Sequence, residues 1–97
     1  MKTLSKYLQE AKQDYKVYHK SYREAVEEIL EFAESKGYTL DEDDIWNHIT
    51  TGFGKPSNSE TNKIHLPIFK NGKEQKKQLH AQVYNMGNAF ELNIYIQ

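Results

Sequence analysis

Three segments after residue 60 alternate between apolar and polar residues, and two short turn sequences separate them. The segments read KIHLPIFK, KEQKKQLHAQVYN and AFELNIYIQ. Alternation with a period of two is typical of strands that bury one face. Asn71-Gly72 is the strongest short signal for a two-residue hairpin, and Met86-Gly87-Asn88 marks a second turn. The sequence therefore predicts a three-stranded antiparallel β-meander.

The two turns together predict a register. A two-residue turn at Asn71-Gly72 places Ile64 opposite Leu79, and a two-residue turn near Gly87 places Leu79 opposite Ile94. A slip of one residue would move every side chain to the other face. In the predicted register one face of the sheet is wholly apolar, and its members are Ile64, Leu66, Ile68, Leu79, Ala81, Val83, Phe90, Leu92, Ile94 and Ile96.

Two helices are predicted before the sheet. Ser21 and Glu24 form a capping-box sequence, in which the serine hydroxyl accepts from an early helix N–H and Glu24 reaches back. Gly37 supplies the stop, and Asp41 is a good N-cap for the second helix. The buried side of that second helix is expected to consist of Ile45, Trp46 and Ile49.

These elements predict an α+β fold. Residues 3–12 allow a further short helix, and residues 14–19 allow a short extra strand. The predicted architecture is two or three N-terminal helices packed on one face of a three-stranded antiparallel meander. A chain of 97 residues can bury a single modest core, and without cysteine it has neither disulfides nor cysteine-ligated metal. No apolar run approaches the length of a membrane span, so no membrane partner is expected.

Charge is unevenly distributed along the chain. The net charge is −1, but residues 21–48 hold two basic residues against nine acidic ones, while residues 49–97 hold six lysines against three glutamates. This pattern suits either a solvated pair of acidic helices or a bipolar surface that meets a charged partner.

The polar face of the sheet and the lysines near the Asn71-Gly72 hairpin form a candidate binding surface. In the predicted register His80 lies opposite Asn93 and diagonal to His65, so two imidazoles, amides and phenols come within reach of one another. Such a set could do acid–base work or bind a polar ligand, but it also suits the solvated face of an antiparallel sheet. The candidate surface comprises Lys55, Lys63, His65, Lys73, Lys76, Lys77, His80, Tyr84 and Tyr95.

The sequence offers no recognisable catalytic set, metal-ligand spacing or cofactor motif. The loop GFGKPSNSETNK contains glycines, a lysine and hydroxyl residues, but their order is not that of a Walker loop and no strand precedes it. The four histidines are scattered along the chain. We therefore expect a binding protein rather than an enzyme, with no metal or cofactor.

The opening stretch MKTLSKYLQEA resembles the capsid-targeting peptides of internal head proteins in T-even-like tailed phages. In that family a Met-Lys-Thr start leads a peptide of about ten residues, and the maturation protease cuts after Leu-x-Glu or Ile-x-Glu, before a small residue. The resemblance implies a cut between Glu10 and Ala11, with Leu8 as the other matching residue. It divides the chain into a cleavable targeting peptide, residues 1–10, and a single α+β domain, residues 11–97.

The same resemblance implies where the protein acts and with whom. It implies contact with the prohead core and the maturation protease, packaging inside the phage head, and ejection with the DNA into the host cytoplasm. There the protein would bind a host protein, for example a defence enzyme. The resemblance covers about a tenth of the chain and names neither the host target nor the oligomeric state.

Two other functions fit the sequence. The element order resembles that of RelE/ParE-like ribonuclease toxins, which usually carry arginine and lysine on the sheet, whereas the polar face here has Lys76 and no arginine beside it. A small nucleic-acid-binding module could use the lysines at the basic end of the sheet with Phe53 and Phe69. Six lysines without an arginine are a weak form of that signal.

Overall fold

Residues 15–97 are described by a computed structural model, in which two helices cover one face of a four-stranded antiparallel sheet. Neither helix in this part of the chain combines the length and apolar character needed to cross a membrane.

Numbered in chain order with the bounds given below, the strands lie side by side in the order β1-β4-β3-β2. The α+β prediction is confirmed, including the short extra strand, while the predicted helix over 3–12 lies outside the described residues. The elements are β1 (Tyr18–His19), α1 (Tyr22–Ser35), α2 (Glu42–Thr51), β2 (Thr61–Lys70), β3 (Lys73–Asn85) and β4 (Phe90–Ile96).

The predicted apolar face of the sheet forms the core. Nine of its ten members are buried, and Ile96 is half-buried against the same cluster. Leu79 and Leu92, at the centre of the sheet, have no exposed surface. From the helices, the core receives Tyr22, Val26, Ile29, Phe32, Ala33 and Ile45. The face assignment is therefore confirmed for all three strands.

The predicted pairing of β2 with β3 is wrong by two residues beyond the hairpin. Lys70 pairs with Lys73 as a two-residue turn requires, but Leu66 pairs with Leu79. The register shifts between Pro67 and Phe69. The irregularity begins at Pro67, whose nitrogen carries no hydrogen to donate to the partner strand. For the same reason proline within a sheet is confined to edge strands, and β2 is an edge strand. A shift of two residues leaves every side chain on its predicted face.

The pairing of β3 with β4 is also displaced by two residues. Asn85 pairs with Phe90, so the turn contains four residues rather than the predicted two. Inside it, the Met86 N–H donates to the Ala89 carbonyl at 2.8 Å, and the Asn85 side chain accepts from the Gly87 N–H at 2.8 Å. Leu79 consequently pairs with Ile96 instead of Ile94. Hydrogen bonds from a side chain to the backbone, such as that of Asn85, favour a particular turn length, which the alternation of apolar and polar residues does not specify.

The segment before α1 is fixed to both layers. The Leu92 N–H donates to the Val17 carbonyl at 2.7 Å, and the Ile94 N–H donates to the Tyr15 hydroxyl at 3.0 Å. The Tyr15 ring meets Phe32 of α1 edge-on, with centroids 5.4 Å apart. Residues 15–19 therefore close the β4 side of the sheet against the first helix.

Helix capping follows the sequence, with one difference. Ser21 accepts from the Glu24 N–H at 3.1 Å, but the Glu24 carboxylate does not reach back to the cap as predicted. It instead contacts Nδ1 of buried His19 at 3.2 Å and the Lys16 ammonium at 3.3 Å. These two hydrogen bonds, that from His19 first, lower the pKa of the Glu24 carboxyl below its ordinary value. Glu24 thus joins α1 to the segment that precedes it.

The buried side of α2 differs from the prediction. Ile45 is buried, whereas Trp46 is 62% exposed and His48 is buried in its place. Positions 45 and 48 lie three apart and share one side of a helix, while position 46 is turned about 100° away from Ile45. The expectation that Trp46 belongs to the core is therefore wrong.

Candidate binding surface

The side of the sheet turned away from the helices is polar and accessible. We call the part of it that lies beyond the β2 register shift, on the side away from the Asn71-Gly72 hairpin, the open face, and define it by the polar side chains that alternate there with the core positions. The register brings His65, His80 and Tyr95 into one row across three strands. The open face consists of Tyr18, Thr61, Lys63, His65, Gln78, His80, Gln82, Tyr84, Glu91, Asn93 and Tyr95.

A row of three contacting rings crosses the open face. The His80 and Tyr95 rings stack, with centroids 4.9 Å apart and planes 9° apart. His65 meets His80 edge-on, with centroids 4.7 Å apart. This corrects the prediction, in which His80 faced Asn93 and lay diagonal to His65; the two-residue register shifts produce the new neighbours. Tyr95 remains 44% exposed, so the row offers aromatic surface to a partner.

The chemistry around this row suits recognition of another surface. Gln82 pairs with Asn93 beside it, and Tyr84 pairs with Glu91 in the next row. Tyrosine, histidine and amide side chains combine apolar contact area with hydrogen-bonding tips, and such residues are common in protein-binding surfaces. The open face holds one lysine, Lys63, and one glutamate, so its formal charges cancel.

The nine predicted binding residues fall into three separate places. Lys63, His65, His80, Tyr84 and Tyr95 share the open face. Lys73, Lys76 and Lys77 line a shallow pocket of about 560 Å³ beside Tyr38 at the hairpin end. Lys55 lies apart from both groups, with its ammonium 5.9 Å from the centroid of buried Phe90. The structure therefore groups the aromatic residues in one place and the three hairpin lysines in another, and it does not join the two groups into one surface.

The loop after α2 is anchored by a buried polar cluster. The Tyr22 hydroxyl donates to the Phe53 carbonyl at 2.7 Å. Nδ1 of buried His48 contacts the same carbonyl. Because a carbonyl oxygen can only accept, Nδ1 is the ring nitrogen that carries the proton in this contact. Burial raises the pKa of Tyr22 to about 12, further above neutral pH than the ordinary value of a phenol, and the protonated hydroxyl can donate. Asn62 and Asn85 donate to the carbonyls of Gly54 and Pro56, both at 3.1 Å. Gly54 permits the loop to pack against His48 and Tyr22, since a Cβ there would lie 2.8 Å from the Tyr22 hydroxyl.

Within residues 15–97, no three histidine, aspartate or glutamate side chains lie close enough together to hold a metal ion. The arginine, Arg23, lies on α1 and pairs with Glu27 at 3.3 Å, away from the sheet. The cleavage-site residues of the sequence prediction, Leu8, Glu10 and Ala11, lie outside the described residues.

Sequence reasoning missed two exposed aromatic residues. Tyr18 of β1 pairs with Glu91 and extends the open face, and it is 56% exposed. Alternation of Tyr15, Val17 and His19 with their neighbours already indicated that Tyr18 points the other way. Trp46 could have been found by counting i, i+3 and i+4 from Ile45, which gives His48 and Ile49 rather than Trp46.

Comparison with protein-family models, with characterised proteins and with solved structures found no match to this chain.

Proposed function

We propose that the chain is an internal head protein of a tailed phage, and that its domain acts in the host by binding a host protein through the open face. The delivery part rests on residues 1–11, which match the targeting and cleavage pattern described above. The binding part rests on the open face. Each part has its own experiment, so that either can fail alone.

One observation carries the binding part: the His65–His80–Tyr95 row lies in a face whose formal charges cancel. Aromatic rings that are already ordered by stacking lose little conformational entropy when a partner covers them. A nucleic-acid surface would need several cations along it to neutralise phosphates, and the open face has only Lys63. A protein partner requires no such excess of positive charge.

Changing the aromatic row should weaken partner binding. The full chain, crosslinked in host extract, would first identify the partner, and purified components would then give Kd. We expect His80→Ala with Tyr95→Ala to raise Kd about 30-fold or more, which corresponds to about 2 kcal/mol for the pair, since aromatic residues at the centre of an interface commonly contribute about 1–2 kcal/mol each. Glu34→Ala is the control, because Glu34 is exposed on α1, in the other layer.

The outcome also separates the alternatives. Unchanged Kd in the double variant would contradict the open-face proposal. Binding of a single-stranded RNA that falls steeply with salt, and is lost in the same variant, would assign the face to nucleic acid instead.

The delivery part predicts a defined N-terminus. Mass spectrometry of the protein from mature particles should show Ala11 as its first residue, and Glu10→Lys should block the cut. Gln9→Lys adds a positive charge at the variable position of Leu-x-Glu and is the matched control, which should still be cut. A protein that begins at Met1 or Lys2 in mature particles, or cleavage that survives Glu10→Lys, would contradict this prediction.

A further inference from the structure

We propose that the groove between α1 and α2 binds a basic amphipathic helix of a partner protein. The helix groove, as we call it, has a volume of about 430 Å³. It lies in the helix layer, whereas the open face belongs to the opposite side of the sheet, so this inference does not depend on the proposed function. The groove is lined by Arg23, Glu27, Leu30, Glu42, Asp43, Ile45, Trp46 and Ile49.

The floor and wall of the helix groove are apolar. Leu30 and Ile49 are half-buried against the core, and Ile45 is buried between the two helices. Trp46 stands beside them with 62% of its surface exposed. Tryptophan is seldom this exposed in a monomer and is among the residues most enriched at the energetic centres of interfaces. These side chains provide the contacts that the apolar stripe of a helix requires.

The rim of the helix groove selects a basic occupant. Glu27, Glu42 and Asp43 line it, and Arg23, the one cation among the described residues that line the groove, is already paired with Glu27 at 3.3 Å. The surrounding segment, residues 21–48, has a formal charge of −7 from nine acidic and two basic residues. An acidic helix or a nucleic acid would be repelled, while lysines and arginines flanking an apolar stripe would be attracted.

A second copy of the chain fits the groove less well. Both helices in residues 15–97 are acidic, since α1 carries five glutamates and α2 has three acidic residues in its first turn. The lysines of the described residues that cluster most closely lie on the β2–β3 hairpin, which is a strand pair and not a helix. Since no helix of residues 15–97 carries complementary charge, we assign the groove to a helix of another protein. With α1 and α2 of 14 and 10 residues, a helix of about three turns matches the length of the groove.

The chain carries its own reporter for the test, because Trp46 is its only tryptophan. The probe is a 14-residue helical peptide with leucines at i, i+3, i+4 and i+7 and lysines elsewhere. With the full-length protein we expect a blue shift of Trp46 emission and protection from acrylamide quenching on titration. The same peptide with glutamates in place of lysines should have no effect. Equal binding of the acidic peptide, or an unchanged emission spectrum, would overturn the proposal.

Two double variants separate the helix groove from net charge. Glu27→Gln with Glu42→Gln neutralises the rim and should raise Kd for the lysine peptide about fivefold, the effect of losing two exposed ion pairs. Glu31→Gln with Glu34→Gln removes the same charge from exposed positions of α1 outside the groove and should change Kd by about twofold or less. Equal losses in both pairs would mean that the peptide binds by charge alone, and would overturn the assignment to the groove.

Two other occupants are outcomes of the same measurements. A red shift of Trp46 emission in full-length Leu4→Asp with Leu8→Asp would show that the chain's own N-terminus fills the groove. A concentration-dependent blue shift together with a dimer in sedimentation would show that a second copy fills it. Either result overturns the proposal, while a monomer with Trp46 emission unaffected by those substitutions supports it.

Discussion

Leu92→Ala should lower the free energy of unfolding by about 2–5 kcal/mol, the usual cost of truncating a fully buried leucine. Leu92 has no exposed surface, pairs with Val83, and lies in β4, between β1 and β3. The neighbouring strands β1 and β3 are held in place by their pairing with β4, so the side chains around Leu92 can move only partly into the cavity that its truncation leaves. For a domain of this size, a loss of about 3 kcal/mol corresponds to a fall of roughly 12–24 °C in Tm.

Asn93→Ala is the matched control for Leu92→Ala. Asn93 is the next residue on β4, and its side chain lies on the open face, where it is exposed. We expect its free energy of unfolding to change by about 0.5 kcal/mol or less. Chemical denaturation of both variants measures the difference, and similar losses in the two would contradict the core position of Leu92.

Gly54→Ala should be the second strongly destabilising change, at about 2–5 kcal/mol. Gly54 has φ +84°, a left-handed conformation that costs a residue with a Cβ about 1–2 kcal/mol. The added Cβ would lie 2.8 Å from the Tyr22 hydroxyl and 3.2 Å from Nδ1 of His48. It would therefore displace the hydrogen bonds that hold the Phe53 carbonyl, and a buried polar group without its partner costs about 1–3 kcal/mol.

Gly52→Ala separates these two contributions. Gly52 also has a positive φ, +72°, but a Cβ there would meet no atom of residues 15–97 within 4 Å. It should lose only the backbone part, about 1–2 kcal/mol. Denaturation midpoints of the two variants give the comparison, and equal losses would mean that the Tyr22–His48 cluster tolerates displacement and does not anchor the loop.

The elements that the sequence predicted well are those decided by local chemistry. Ser21 and Asp41 cap their helices because each side-chain oxygen reaches an N–H two or three residues ahead. The apolar faces of β2, β3 and β4 follow from a strict alternation. The predicted faces are correct although the predicted registers are not, because each of the two strand pairings is displaced by two residues. Position along the chain is sufficient for such predictions, since the interacting groups are neighbours in sequence.

The binding surfaces depended on contacts between distant residues. The irregularity at Pro67 and the four-residue turn before β4 set which rings lie side by side, and only the paired strands bring Tyr95 over His80. The Glu24 carboxylate likewise bonds to His19 and Lys16 instead of to its own helix cap, because the preceding segment is folded against α1.

The sequence by itself determined the α+β class, the helix starts and the two faces of the sheet, because propensity, capping and alternation act over a few residues. Tertiary structure decided the register, the exposure of Trp46 and the meeting of His65, His80 and Tyr95. Those features arise where several segments compete for one core. The side of α2 that packs inward, and the number of residues a turn takes up, are settled by the total burial and hydrogen bonding that the assembled segments achieve.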